Sequence, residues 1–291
     1  MQNKTGRQPE GTRPIGIMGE GIVGGALRAY LESHGHAVRL YDPPKGYASI
    51  ESLADADIVF VCVPTPYTPG YGFDDRHLLE AVSSLRGSKT VVIKSTVLPG
   101  TTEMLQDRIP QHRFLFNPEF LREATALDDF LRPDRQIVGC TAASSGEAER
   151  VMALLPRAPF ERVCAASEAE LAKYAANSFL AVKVSYANEM FDLCECLRLD
   201  YDVVRDIVGA DVRIGASHME VLHDGYRGFG GKCLPKDSHA LLDLARTIGI
   251  DLHVLRAADR VNAMLRGVEA TERVTFLAAV SGDDNAGERA A

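Results

Sequence analysis

The sequence predicts an α/β protein in which a doubly wound parallel sheet is followed by an all-helical domain. Over the first half of the 291 residues, short apolar runs alternate with helical patterns, which is typical of parallel strands joined by crossover helices. The first run enters a glycine-rich turn, GEGIVG at 19–24. From about residue 167 to residue 197, apolar residues recur at helical spacing without strand signals.

The elements and domains follow from this pattern in chain order. We expect strands at 14–18, 37–41, 57–63, 90–94, 114–116 and 136–140. We expect helices between them, including one that ends near residue 54, and then at 167–197, 201–208, 236–248 and 252–276. The predicted domains are a disordered lead-in at 1–13, a sheet domain at 14–163, a helical central or dimerisation domain at 164–280 and a flexible tail at 281–291.

Composition and charge exclude several classes of protein. Apolar residues make up 46% of the chain, enough for a sizeable core, and the formal net charge is −8. A phosphate backbone repels such a chain, so we expect a small-molecule substrate and no nucleic acid. No apolar run approaches the roughly 20 residues that span a bilayer, and no export signal precedes the six cysteines. We therefore expect a cytoplasmic protein that binds no membrane and has no disulfides.

The first glycine-rich turn predicts a dinucleotide site in a Rossmann-type domain. Gly19 permits a tight turn, Gly21 lets the backbone approach a pyrophosphate, and Gly24 lets the following helix pack closely. Asp42 ends the second strand, where it would bond a ribose hydroxyl and repel a 2′-phosphate, so NAD is favoured over NADP. Glu20 is expected to point to solvent. An ordinary glycine turn is the alternative.

A second glycine-rich segment, GFGGKCLPKD at 228–237, predicts a nucleophile. Cys233 ends the loop, and Pro235 is suited to open a helix, which would place the thiol at the positive end of the helix dipole. The neighbouring Lys232 and Lys236 favour the thiolate. A buried cysteine in a turn before a helix is the alternative.

Two further groups of polar residues could assist such a thiol. Lys173 and Asn177 are four residues apart and share one helix face, where they could position a reacting oxygen and its proton. A solvated charge is the alternative for Lys173. The segment NPEFLRE at 117–123 carries two carboxylates in a short stretch.

With these motifs in order, the chain closely resembles the UDP-glucose/GDP-mannose dehydrogenase family over about residues 14–265. The motifs that carry the resemblance are GEGIVG (19–24), VPTP (63–66), KSTVLPGTT (94–102), NPEFLRE (117–123), RPDR (132–135), ELAKYAANSF (170–179) and GFGGKCLPKD (228–237). The resemblance implies an NAD-dependent enzyme similar to UDP-glucose 6-dehydrogenase, which oxidises a primary alcohol twice to a carboxylate. The implied substrate is a nucleotide sugar or a smaller, sugar-like anion.

The same resemblance assigns roles to individual residues. The implied catalytic residues are Cys233, Lys173, Asp237, Glu123, Asn177 and Thr96. The implied NAD-binding residues are Gly19, Gly21, Ile22, Val23, Gly24, Asp42, Val63, Pro64, Thr65, Ser95, Thr96 and Glu123. The implied substrate-binding residues are Glu119, Phe120, Leu121, Arg122, Lys173, Asn177, Arg213, Phe229, Gly230 and Lys232. No metal site is expected.

The implied mechanism uses Cys233 to hold the aldehyde between two oxidations. Lys173 takes or shares the hydroxyl proton, the thiolate captures the aldehyde as a thiohemiacetal, and the second oxidation leaves a thioester. Asp237 and Glu123 orient the water that hydrolyses this thioester. Arg213 resembles an arginine that reaches the substrate of a neighbouring subunit, and the long helix would join two copies as a homodimer.

The chain departs from the family in three places. Typical members continue into a third, C-terminal domain that holds much of the nucleotide, whereas this sequence stops at Ala291. We expect a short member that lacks this domain. Three explanations stay open: the nucleotide pocket is borrowed or simplified, the substrate is smaller, or the sequence is truncated. Lys232 stands where the family has a small serine, and Ala124 where glycine is common. Lys232 could contact an anionic group of the substrate.

Two other functions stay open. A one-step β-hydroxyacid dehydrogenase has a related architecture and also a lysine and an asparagine four residues apart, but it needs no thiol. Two NADH per product, against one, would separate the two reactions. A non-catalytic NAD-binding protein is the second alternative, and the presence of Cys233, Lys173, Glu123 and Asp237 argues against it.

Overall fold

The computed structural model describes residues 13–68, 72–223 and 225–267. These residues form two compact units, one ending at Tyr174 and the other beginning at Ala175. The domain boundary predicted between residues 163 and 164 lies in the last strand of the first unit and stays a prediction. Apart from Arg13, the predicted lead-in lies outside the described residues, as does the whole predicted tail.

The first unit is built on a sheet whose described strands number seven, in the order β2-β1-β3-β6-β7-β8-β9. Its strands are β1 (Ile15–Met18), β2 (Val38–Tyr41), β3 (Ile58–Val61), β6 (Thr90–Ile93), β7 (Arg113–Phe116), β8 (Arg135–Cys140) and β9 (Phe160–Ala165). A separate hairpin comprises β4 (Tyr67–Thr68) and β5 (Gly72–Phe73). The helices of this unit are α1 (Ile22–Ser33), α2 (Arg76–Ser84), α3 (Thr101–Arg108), α4 (Ala126–Leu131) and α5 (Ala148–Met152). The predicted α/β class is confirmed.

Helices cover both faces of this sheet, which is why its central strands are apolar throughout. Alternate residues of a strand point to opposite faces, so β3, with the sequence IVFV, contributes to both cores. One core packs the sheet against α2 and α3. The other packs it against α1, α4 and α5. Strands buried on both faces read as continuous apolar runs, as the sequence pattern indicated.

The structure corrects two expectations about this unit and adds one strand that was not expected. The sheet is not wholly parallel, because β7 and β8 pair antiparallel. The helix expected to end near residue 54 is replaced by two 3-10 turns, Pro43–Lys45 and Ile50–Leu53. Consecutive prolines and the left-handed Gly46 prevent an α-helix there. Strand β9 was not predicted; it is an edge strand with little buried apolar surface, so its sequence lacks a clear signal.

The direction of the strands brings several loops to one edge of the sheet. β1, β2, β3, β6 and β7 are mutually parallel, so all of them end at this carboxyl edge. β8 runs in the opposite direction and therefore starts at the same edge. In sheets of this kind ligands bind outside the carboxyl ends of the strands.

The second unit is mainly helical. Helix α6 (Ala166–Leu197) enters it and is followed by α7 (Tyr201–Gly209), α8 (Leu234–Thr247) and α9 (His253–Leu265). A short hairpin joins β10 (Leu222–His223) to β11 (Tyr226–Arg227) just before the predicted cysteine loop. The last predicted helix extends past residue 267 and so partly lies outside the described residues. Within the described ranges, no helix is both long and apolar enough to cross a membrane.

Candidate active site

The glycine turn after β1 has the shape that a dinucleotide site needs. Gly19 has φ +89°, and a Cβ there would lie 2.7 Å from the carbonyl oxygen of Cys62. A Cβ on Gly24 would overlap the carbonyl oxygen of Gly19. Gly21, at the N-cap of α1, faces open space. Packing therefore requires two of the glycines, while the third leaves room for a phosphate at the helix N-terminus.

Asp42 and Glu20 border this turn. The Asp42 Oδ2 atom accepts a hydrogen bond from the Glu20 backbone N–H at 2.6 Å. The Oδ1 atom has no hydrogen-bond partner among the described residues, so it could accept from a ribose hydroxyl. The expectation that Glu20 points to solvent is wrong: its side chain is 14% exposed and forms an ion pair with Arg28 of α1.

Side-chain hydrogen bonds tie together the loops that follow β3 and β6. The Thr65 hydroxyl donates to the carbonyl oxygen of Thr96 at 2.7 Å. The Ser95 hydroxyl donates to the carbonyl oxygen of Val63, also at 2.7 Å. The residues predicted to bind NAD in these loops, which include Pro64, therefore lie together at the carboxyl edge, beside the strand that carries the glycine turn.

Lys173 and Glu119 form a buried ion pair in the first unit. The Lys173 Nζ lies 2.9 Å from a Glu119 carboxylate oxygen, and the two side chains are 3% and 11% exposed. Burial raises the pKa of Glu119, but the charge of Lys173 and its hydrogen bond outweigh burial and hold that pKa below its usual value. Glu119 also accepts the Leu121 backbone N–H at 2.9 Å. The Lys173 Nζ lies over the Phe120 ring, 5.5 Å from the ring centroid.

Cys233 is the N-cap residue of α8 in the second unit, as the position of Pro235 predicts. Its side chain is exposed. One turn further along the helix, Asp237 is almost fully buried. Its Oδ2 accepts from the Asn177 Nδ2 at 2.5 Å, and its Oδ1 contacts the Lys236 Nζ at 2.6 Å. An accessible thiol at a helix N-terminus thus stands near a fully partnered carboxylate.

The glycines before Cys233 pack against neighbouring side chains. Gly228 has φ +82°, and a Cβ there would overlap the Asn262 Oδ1 atom, which accepts the Phe229 backbone N–H at 2.7 Å. A Cβ on Gly230 would lie 2.6 Å from the Tyr226 hydroxyl. The Phe229 side chain is buried in a small apolar cluster, so any contact of Phe229 with substrate would use its backbone.

Comparison with known proteins identifies the family. The model of the UDP-glucose/GDP-mannose dehydrogenase family matches this chain over residues 45–155 with its NAD binding domain and over residues 167–264 with its central domain. A putative UDP-glucose 6-dehydrogenase from Bacillus subtilis is 30% identical over 92% of this chain and 72% of its own length. The chain belongs to the UDP-glucose/GDP-mannose dehydrogenase family. The prediction of NAD as cofactor is thereby confirmed at the level of the domain.

Two further members of the family are also similar to this chain. UDP-glucose 6-dehydrogenase from Pseudomonas aeruginosa is 42% identical over 73% of this chain and 50% of its own length. The structure of a UDP-glucose dehydrogenase from the archaeon Pyrobaculum islandicum superposes with a TM-score of 0.77 at 30% identity, over 95% of this chain and 73% of that one. The chain spans about half the length of the first curated relatives that it matches.

Several residues implied by the family resemblance lie apart from these buried contacts. Arg122 is exposed and pairs with Asp129 at 2.6 Å. Arg213 is exposed and pairs with Asp211 at 2.5 Å. Glu123 and Lys232 are also exposed. Their predicted roles toward water, substrate or a second subunit stay predictions.

Structural contacts also reveal residues to which the sequence analysis gave no role. Glu170 is buried, and its carboxylate accepts the backbone N–H groups of Gly100 and Thr102 at 2.6 and 2.9 Å, so it caps α3. Asn262 shapes the cysteine loop from α9. Lys94 was missed as well, although a lysine directly after the apolar run TVVI is a detectable signal of a buried charge.

Proposed function

We propose that this chain catalyses the NAD-dependent oxidation of a primary alcohol to a carboxylate, through a thiohemiacetal and a thioester on Cys233. The named relatives are UDP-glucose 6-dehydrogenases, so a UDP-sugar is the first substrate to test, with smaller sugar-like anions next. The observation that carries this proposal is the exposed Cys233 thiol at the N-terminus of α8, one turn from the buried Asp237. Because Cys233 forms no disulfide, a cytoplasmic location is also part of this proposal.

The glycine turn at 19–24 and the loops after β3 and β6 fit a dinucleotide. When bound there, one NAD would accept the hydride of the first oxidation, and a second NAD would accept that of the second. The α1 N-terminus would bind the pyrophosphate, and Asp42 would bind the adenosine ribose. Thr65, Ser95 and Thr96 would border the cofactor on the other side.

Side chains of this protein would transfer the protons and bind the reacting carbon of the substrate. In the first unit, Lys173 would take the hydroxyl proton as the hydride leaves, and Glu119 would hold the ammonium group that results. In the second unit, the Cys233 thiolate would add to the aldehyde carbon, and the new oxyanion takes one proton to give the thiohemiacetal. This intermediate loses a hydride and a proton to become the thioester.

Hydrolysis would complete the reaction. Water adds to the thioester carbon, the carbon–sulfur bond breaks, and the carboxylate, a proton and the Cys233 thiol are released. Asp237, held by Asn177 and Lys236, would orient that water. Hydrogen bonds from lysine and asparagine side chains would stabilise the oxyanion at each addition.

Substitution of Cys233 tests this function directly. With UDP-glucose and a panel of other nucleotide sugars, the wild type should form two NADH and one acid per substrate. Cys233→Ala should lower acid formation about a thousandfold while NADH binding is kept. Cys196→Ser is the matched control, because Cys196 is also an exposed thiol of the second unit. Normal acid formation by Cys233→Ala would refute the thioester route.

The same assay separates the alternatives. A one-step hydroxyacid dehydrogenase would give one NADH per substrate with or without Cys233. A non-catalytic NAD-binding protein would bind NADH and oxidise none of the alcohols. Mass spectrometry of the wild type during turnover should detect the acyl group on the peptide that contains Cys233.

We also propose that two copies associate through α6. Phe179, Tyr186 and Leu193 recur every seventh residue along this helix and are 65%, 53% and 50% exposed. Such a stripe of large apolar side chains is typical of a helix that packs on a partner. Size-exclusion chromatography with light scattering should show a dimer for the wild type and a monomer for Phe179→Glu/Tyr186→Glu. A monomeric wild type would contradict this.

A further inference from the structure

Lys94 is a buried cation at the carboxyl edge of the sheet. It directly follows β6, and its side chain is 4% exposed. The Nζ donates a hydrogen bond to the Asn117 Oδ1 at 2.5 Å and lies 5.5 Å from the centroid of the Phe130 ring. Among the described residues, no carboxylate lies within ion-pairing distance of Lys94. A buried ammonium group held by a neutral amide costs stability, so its presence needs another explanation.

Asn117 connects Lys94 to the segment that carries Glu119. The Asn117 side chain is fully buried and uses both ends of its amide. Its Oδ1 accepts from Lys94, and its Nδ2 donates to the Gln136 Oε1 at 2.8 Å and to the Ile137 carbonyl oxygen at 2.7 Å. Glu119 follows two residues later. Lys94 therefore fixes the start of the segment that places Glu119 against Lys173.

The charge of Lys94 also acts on Glu119. The groups that face Lys94 are the Cys62 thiol after β3, Asn117 and Glu119 after β7, Phe130 of α4 and Lys173 of α6. Burial raises the pKa of Cys62 to about 12, so the thiol is neutral. Burial lowers the pKa of Lys94 to about 8. Near neutral pH, Glu119 is thus the only anion in this group, beside two lysines.

We propose that Lys94 is a positioning residue for the oxidation: it holds the segment at 117–119 through Asn117, and its charge adds to the larger effect of Lys173 in holding the Glu119 carboxylate in place. Lys94 does not reach the substrate in this scheme. It positions Glu119, which is the ion-pair partner of Lys173, and Lys173 takes the hydroxyl proton. The inference rests on the proposed function and adds to it a residue with no role so far.

The test compares Lys94→Met, Lys94→Arg and Lys89→Met. Lys89 is the matched control, because it precedes β6, is also buried, and donates to the carbonyl oxygens at positions 53, 54 and 56. Lys94→Met should lower kcat about tenfold or more, with KM for the alcohol changed less than about threefold. Lys94→Arg should recover most of the kcat. Lys89→Met should lose stability and keep its kcat.

The dependence of kcat on pH gives a second reading, and its wild-type part needs no variant. Wild-type kcat should fall as the pH rises through about 8, where Lys94 loses its proton. Lys94→Arg should lack this fall, because an arginine stays charged. A flat wild-type profile between about pH 7 and 9, or equal kcat losses in folded Lys94→Met and Lys94→Arg, overturns the inference.

A crystal structure of Lys94→Met separates this inference from the proposed function. We expect the distance between the Glu119 carboxylate and the Lys173 Nζ to increase from 2.9 Å to beyond ion-pairing range. That result supports the positioning role even if the wild type oxidises none of the tested alcohols, which would end only the proposed function. An unchanged pair in Lys94→Met overturns the positioning role whatever the activity.

Discussion

Gly24→Ala should damage the dinucleotide site, while the same change one residue later should not. A Cβ on Gly24 would overlap the Gly19 carbonyl oxygen, lie 3.1 Å from the carbonyl carbon of that residue and lie 3.4 Å from the Cys62 Cβ. Carbon and oxygen normally touch at roughly 3.3–3.6 Å. The Gly19 carbonyl is backbone, so relief requires the turn itself to move.

The magnitude follows from two opposing terms. Forcing an extra carbon into a packed site costs about 1–3 kcal/mol, and the upper end applies because the obstacle is backbone. Replacing glycine by alanine within a helix stabilises it by about 0.5–1 kcal/mol. The free energy of unfolding should therefore fall by about 2 kcal/mol for Gly24→Ala. Gly25→Ala meets no atom within 4 Å and should show only the gain of about 0.5–1 kcal/mol.

Urea unfolding and NADH titration measure both consequences. Gly24→Ala should bind NADH at least about tenfold more weakly, because the N–H groups at the start of α1 shift away from the pyrophosphate. Gly25→Ala should bind it normally. If Gly24→Ala matches the wild type in stability and in NADH affinity, the turn is not packed as described, and this argument for the cofactor site fails.

Three further predictions concern charged groups. Glu119→Gln should destabilise the protein by about 3–5 kcal/mol because it leaves the Lys173 charge buried alone, and urea unfolding should show that Glu119→Gln/Lys173→Met is more stable than Glu119→Gln. Glu170→Ala should cost about 2 kcal/mol through loss of the cap on α3, and unchanged unfolding would contradict that role. The hydrogen bond that the His239 ring donates to Asp259 raises the pKa of His239, so this pair stabilises the protein fully below about pH 6.5 and loses its effect as the pH rises through the raised value. The difference in urea midpoint between wild type and Asp259→Asn should be present at acidic pH and vanish at alkaline pH, and a difference that grows with pH would contradict the assignment.

Residue order alone determined much of this protein. Alternating apolar runs predicted the strands, because a strand covered on both faces must be apolar throughout. The glycine spacing at 19–24 predicted a tight turn before α1, because only glycine tolerates the positive φ of Gly19 and the contact at Gly24. Pro235 predicted the start of α8 and hence the place of Cys233 at its N-terminus.

Tertiary structure alone decided the direction of β8 and the partners of the buried charges. Strand pairing depends on which edges meet, and the short sequence of β8 favours neither direction. Contacts between distant parts of the chain join three pairs: Lys94 with Asn117, Glu170 with α3, and Asn262 with the cysteine loop. A local sequence pattern indicates whether a residue is buried. It does not indicate the partner of a buried polar group, because that partner comes from a separate element that packs against it.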